Sequence, residues 1–224
     1  MAYIKPVARI ALNKKEFRTV ISSYLTGDIK WSDDALKPLK NMIRTLLREE
    51  QKGMCPYCQR MIIPERRNLG EHIEHFLDKS KDKYKKFALT ASNLVLACQG
   101  CNVEKGIRDL NKGRPTPLYL NAAAGPFLWP HPYFDDMGAC IQKLAGPVYT
   151  IINGSGREIQ ATKLIIDLKL NEIQNLEVRY NRLISRRNRL IKILTKLAVK
   201  GNLRSRERMI PISIELGKVN DELN

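Results

Sequence analysis

Apolar residues recur at three- and four-residue spacing over 14–25 (KKEFRTVISSYL) and 33–52 (DDALKPLKNMIRTLLREEQK), which predicts two helices. Asp33 or Asp34 is placed to cap the second. Pro38 sits in its first turns, where a missing N–H is tolerated, and Gly53 stops it. From residue 54 the period changes. Short apolar pieces, MII at 61–63, HIEHF at 72–76 and NLVLAC at 93–98, predict small strands between loops, and the lysine-rich run 78–86 (DKSKDKYKK) predicts an exposed loop. Residues 107–136 hold Pro, Gly and Asn without a sustained period and predict ordered but irregular chain. CIQKL at 140–144 and PVYTII at 147–152, joined through Ala-Gly, predict a β-hairpin. Helical periodicity returns after Asn153-Gly-Ser-Gly156, over 161–170, 171–200 and, more weakly, 207–223.

The fold class expected is therefore α+β, mostly α. Its four segments are N-terminal helices over 1–53 that pack on a core at 54–110, an irregular stretch with a hairpin at 111–156, and a C-terminal helical region at 157–224. The long helix carries an apolar stripe (Leu176, Leu183, Leu190, Leu194, Leu197) opposite an arginine-rich face. Intramolecular packing is the plain explanation of that stripe; a partner-docking surface is the other.

Composition narrows the class. The apolar share of 43% is enough for a core and excludes wholesale disorder. No run of eighteen apolar residues exists, and the first residues lack a long apolar signal core, so a cytoplasmic protein without a membrane segment is expected. Net charge is +16, of which 151–224 supplies +7. A charge so far from zero points to a polyanionic partner, because phosphate contacts dominate nucleic-acid affinity.

Cysteine changes the picture more. Cys55-Pro-Tyr-Cys58 and Cys98-Gln-Gly-Cys101 are two CxxC pairs, and Cys140 stands apart. Two intervening residues let both thiolates of a turn face one ion, so the pairs suit a single tetrahedral Zn²⁺ with a structural role. A redox dithiol needs only one such pair and leaves the other unexplained. Tyr57 inside the first pair reads as packing, and Cys140 as an ordinary buried residue.

Between the pairs lies GEHIEHFLDKS, residues 70–80, with His72 and His75 each preceded by a glutamate. Asn93 opens the second strand-like piece, and Asn102 follows Cys101, with Lys105 and Gly106 close behind. On a strand, residues three apart face opposite sides, so only one of the two histidines enters a given cleft. Lys105 reads equally as a phosphate contact or a solvated charge, and His131 in WPHPYF as structural.

The order CxxC, Glu-His, Asn-Leu, CxxC-Asn-x-x-Lys resembles the HNH nuclease family, whose ββα-metal core is often braced by zinc between two CxxC knuckles. The family register of acid, His, apolar residue, any residue, Pro, any residue, Ser fits Glu74-His75-Phe76-Leu77-Asp78-Lys79-Ser80, except that Asp78 stands in place of Pro. The resemblance implies that His75 is the general base, with His72 its rival. It makes Glu74 and Asn102 ligands of a catalytic Mg²⁺ or Mn²⁺, and Asn93 the residue that orients the base or its loop. Such chemistry is sound: a neutral imidazole with an ordinary pKa of about 6.5 takes a proton from water, and oxygen ligands suit a hard dication.

A looser likeness covers most of the chain: a helix into CPYC, then IEHFLDKS, SNLVLACQGCNVEKG, PFLWPHPYFDD, a hairpin, and IIDLKLN before a basic helix. That order is similar to the PtuB-like HNH subunit of Septu-type and retron-linked anti-phage defence systems. It implies DNA as the leading substrate with RNA as the alternative, an ABC/SMC-like (PtuA-like) ATPase partner, and in retron versions a reverse transcriptase with its RNA–DNA hybrid. Two other readings stay open: a catalytically silent zinc module that binds nucleic acid or bridges a partner, and a stand-alone restriction or homing nuclease.

Overall fold

The computed structural model describes residues 4–62, 70–144 and 148–223, leaving aside the side chains of 173–180 and 221–223. A short helix not expected from the sequence, α1 (Ala8–Leu12), buries Ala8 and Ala11 and precedes a 3₁₀ turn and α2 (Arg18–Thr26). The second predicted helix begins as a 3₁₀ turn over Asp34–Leu36, where Asp33 Oδ1 accepts from Ala35 N at 2.9 Å. It continues as α3 (Lys37–Glu50) with Pro38 in its first turn and Leu39, Ile43 and Leu47 facing the core. Its end is a left-handed reversal: Gly53 has φ +69° and its N–H donates to Arg48 O at 2.9 Å.

The central unit is two antiparallel strands, β1 (Glu71–His75) and β2 (Leu94–Cys98), followed directly by helix α4 (Gln99–Lys105). Register pairs Glu71 with Cys98, Ile73 with Leu96 and His75 with Leu94. Two strands alone are marginal in water; here side chains close the far edge of β2. Gln51 forms a two-way bridge to Leu96, Nε2 to O and Oε1 from N, both at 2.8 Å, and Tyr133 donates its hydroxyl to Leu94 O. Three outward-facing backbone groups of a nearly fully buried apolar strand are thus satisfied.

Between the strands, the run expected as an exposed loop is a 3₁₀ helix, Asp82–Phe87, whose lysines face solvent while Tyr84 and Phe87 are buried. The sequence pattern hid two aromatic anchors among charges. Of the predicted strand at 61–63, Met61 forms one bridge to Met54, and Ile63 lies outside the described residues. The hairpin follows a one-turn helix, α5 (Met137–Cys140), as β3 (Ile141–Lys143) and β4 (Tyr149–Ile151); its expected Ala-Gly turn lies outside the described residues.

Two compact units divide the chain. The first runs through Lys143 and resumes over Tyr149–Leu170, so α6 (Glu158–Asp167) belongs to it. Trp129 holds α6 by donating Nε1 to Asp167 Oδ2 at 2.8 Å. The second contains Asn171 onward with Leu144 and Val148. In it α7 (Gln174–Lys200) packs on α8 (Leu203–Leu223), turned by Gly201 and tied by Arg186 Nη2 to Glu215 Oε1 at 2.6 Å. Leu183, Leu190, Leu194 and Leu197 are the sheltered side of α7, and Leu176 lies outside the described side chains. No helix among the described residues is long and apolar enough to cross a membrane.

Candidate metal centre and the His75 cluster

The two knuckles come from different local devices. The first is a tight turn after α3: Cys55 N donates to Arg60 O at 2.8 Å, and Gln59, at φ +54°, returns its N–H to Cys55 O at 2.8 Å. The second is the junction of β2 with α4, where Cys98 is the last extended residue and Cys101 lies in the first helical turn. All four sulfurs lie within 4.8 Å of one another, and Cys58 Sγ is 3.7 Å from Cys98 Sγ. A tetrahedron with Zn–S of about 2.3 Å has S···S edges of about 3.8 Å, so the set fits Zn²⁺ with small adjustment. Burial pushes the Cys55 thiol well up, while hydrogen bonds from the neighbouring Cys101 and Cys55 thiols pull Cys98 down. A dication is what allows all four to ionise together. Cys140 is buried elsewhere, its thiol pushed up to about 11 chiefly by burial.

Glu71, Ile73 and His75 share one face of β1, and His72 and Glu74 the other, by strand alternation. The two histidines are thus turned apart, and so are Glu74 and His75. Glu74, 4% exposed, spends both carboxylate oxygens inside the protein: Oε1 is 2.6 Å from Lys105 Nζ, and Oε2 accepts the Tyr57 hydroxyl. Lys105 is neither solvated nor open to a phosphate. It is 2% exposed and also donates to the main-chain oxygen of His75 at 2.8 Å. Glu71 is paired with Arg48. His72 is half-buried opposite Ala97.

His75 closes β1 and is 5% exposed. Trp31 meets its ring edge-on, centroids 4.8 Å apart at 80°. Burial, then the charges of Lys79 and Lys105, hold the imidazole well below its ordinary pKa, against a weaker opposing effect of a hydrogen bond with the Ala88 backbone. Nε2 is buried with no hydrogen-bond partner among the described residues, which suits it to accept a proton when Nδ1 carries the ring's own.

Asn93, wholly buried, clamps the chain just after the histidine. Its main-chain O accepts from Phe76 N at 2.9 Å, its Oδ1 accepts from Leu77 N at 2.7 Å, and its Nδ2 donates to Leu77 O and Phe87 O, each at 3.0 Å. Asp78, where the family pattern has Pro, makes its own turn by accepting from Ser80 N at 3.0 Å and Ser80 Oγ at 2.6 Å. Asn102 is half-buried in α4, three residues before Lys105 and on the same helix face.

The divalent ion expected on Glu74 and Asn102 meets no open carboxylate in this arrangement, since Lys105 and Tyr57 take both Glu74 oxygens. The described residues therefore do not fit it, and among them the four cysteines are the group of ligating side chains near enough to share an ion. His131 is buried among Phe76, Phe127 and Phe134, and its Nδ1 accepts from Tyr133 N at 3.2 Å, a structural placement. Sequence reasoning missed three participants. Tyr57 does more than pack; Lys105 is a buried partner; Trp31, from a segment some forty residues upstream, covers the histidine. The Asn102–Lys105 spacing on one helix face was the available signal for Lys105; nothing in the local pattern marked Trp31.

No protein-family model, curated protein or solved structure matches the chain.

Proposed function

We propose that the protein is an endonuclease of the HNH kind that hydrolyses phosphodiester bonds in nucleic acid, its β1–β2–α4 unit braced by zinc on Cys55, Cys58, Cys98 and Cys101. The observation that carries the reading is His75: an imidazole at a strand end, held well below its ordinary pKa chiefly by burial, clamped by Asn93, flanked by Lys79 and Lys105, with Nε2 unpartnered among the described residues. In the reaction Nε2 takes a proton from the water that attacks phosphorus, the bond from phosphorus to the leaving sugar oxygen breaks as that oxygen takes a proton from solvent, and the Lys79 ammonium offsets charge growing on the phosphate oxygens. Asn93 positions the base through the Phe76–Leu77 main chain. Glu74 with Lys105 and Tyr57 forms a buried brace between β1, the first knuckle and α4. Zinc on four thiolates has no open position and brings no chemistry of its own. No step is assigned to a divalent ion at Glu74, because that carboxylate is fully engaged.

The order of segments, and the +7 surplus of 151–224, support the further reading of an effector nuclease in an anti-phage complex with an ABC/SMC-like ATPase. Retrieval of such an ATPase with the tagged protein from its native host tests it; isolation of the chain without one contradicts it.

One observation favours the silent zinc module: His75 is 5% exposed, so the base has to be uncovered before it works. Purified protein is therefore incubated with supercoiled plasmid, single-stranded DNA and RNA, in EDTA, Mg²⁺ and Mn²⁺, alone and with the ATPase. Nicking or cutting under any of these conditions is expected. Binding without cleavage in all of them establishes the silent module.

A further inference from the structure

Trp31 is one of two tryptophans in the chain. The other, Trp129, is fully buried and hydrogen-bonded to Asp167. Trp31 instead sits partly exposed in the turn between α2 and α3, with cations on its ring: Lys40 Nζ at 5.5 Å and Lys79 Nζ at 5.6 Å from the centroid. Tyr24 packs edge-on at 5.7 Å, and Lys40 Nζ also donates to the Trp31 carbonyl at 2.9 Å, so the indole is held from two sides. The same ring meets His75 at 4.8 Å. Nearby carboxylates are engaged: Asp33 caps Ala35 N, Asp34 pairs with Lys37 at 2.8 Å, and Asp78 holds Ser80. The cluster therefore presents part of an aromatic face, with two ammonium groups that make no salt bridge among the described residues, beside the imidazole.

We propose that Trp31, with Lys40 and Lys79, is a nucleotide platform. An unpaired base of the substrate strand stacks on the indole, and the two ammonium groups take the flanking phosphates, setting a phosphodiester beside His75. The proposal rests on the reading of His75 as the general base. Its physical ground is a comparison of two uses of one ring face. A lysine over an exposed aromatic is a weak contact, whereas a nucleobase stacked there is stronger and indifferent to sequence. A lysine displaced by the base gains a phosphate in exchange. A base inside a duplex hides its faces, so the platform selects single-stranded or locally opened nucleic acid.

The test uses His75→Ala protein, so that binding is read without cleavage, and an oligothymidylate of twelve residues with a blunt duplex of equal length as control. Tryptophan emission falls as the single strand binds, and Trp31→Phe abolishes that fall. Trp31→Ala weakens single-strand affinity by about 5- to 100-fold. Lys40→Ala and Lys79→Ala each flatten the dependence of log K on log salt by about 0.7. Zinc content and circular dichroism establish that each variant is folded, and Trp31→Phe keeps the packing if Trp31→Ala does not. Unchanged emission at saturating single strand, or equal affinity for Trp31→Phe and Trp31→Ala proteins and the parent, overturns the platform. The two readings fail separately: quenching with no cleavage by the native chain sinks the nuclease and keeps the platform. Cleavage by the native chain with no Trp31 effect does the reverse.

Discussion

Lys105 Nζ lies 2.6 Å from Glu74 Oε1 with neither side chain more than 4% exposed, and the same ammonium holds the main-chain oxygen of His75. The pair ties α4 to the C-terminal end of β1. Removing one partner strands a buried charge, so Lys105→Ala is expected to cost about 3–5 kcal/mol, and Glu74→Gln with Lys105→Met less than Lys105→Ala alone. Urea unfolding of the three variants checks this. A loss under about 1 kcal/mol for Lys105→Ala means that the pair is open to water.

The cysteine set predicts one zinc per chain, released by a thiol reagent in proportion to the four thiolates modified. Cys55→Ser and Cys101→Ser each lose the metal and raise protease sensitivity over the first knuckle, because metal binding and folding of such a site are one equilibrium. Metal analysis beside limited proteolysis reads both effects. Full zinc occupancy in either variant contradicts a four-cysteine centre.

Asn93→Ala leaves the Leu77 N–H and the Leu77 and Phe87 carbonyls without their buried partner. A destabilisation of about 1–3 kcal/mol is expected. As a positioning residue it should also lower kcat more than it raises KM, with zinc content unchanged. A variant as stable as the parent removes the clamp from the account.

Stability should fall on the acid side. Burial holds His131 well below its ordinary pKa, and burial with Lys79 and Lys105 does the same for His75. Both are neutral in the folded chain, while the unfolded chain takes up protons below about pH 6.5. Their contribution is therefore complete above that pH and lost as pH drops below it, by up to about 1.4 kcal/mol per pH unit for each histidine. Urea midpoints from pH 8 to 5.5 at saturating zinc measure the slope. His131→Phe is expected to make it shallower, and an unchanged slope shows that His131 titrates freely in the folded state.

Features set by neighbours in the chain were legible in advance. Both knuckles, the strands around HIEHF and NLVLAC, the Asp33 cap and the Gly53 stop each depend on residues a few positions apart. Tyr84 and Phe87 were not, because charged neighbours masked a helix whose one face is apolar. Strand alternation separates Glu74 from His75 just as it separates His72 from His75, and the acid turns toward Tyr57 and Lys105. Partners such as Trp31 for His75, or Tyr133 for Leu94, are set by tertiary packing across dozens of residues, where local periodicity carries no signal.

The central claim is that His75 is the base of a phosphodiester-cutting site, and paired substitution measures it most directly. Plasmid and single-strand cleavage are followed for the native chain, His75→Ala and His72→Ala at matched zinc content. The account predicts at least a hundred-fold loss (~10²–10⁴, the range for a general base) for His75→Ala and a rate near native for His72→Ala. Cleavage that survives in His75→Ala, or that disappears in His72→Ala instead, contradicts it.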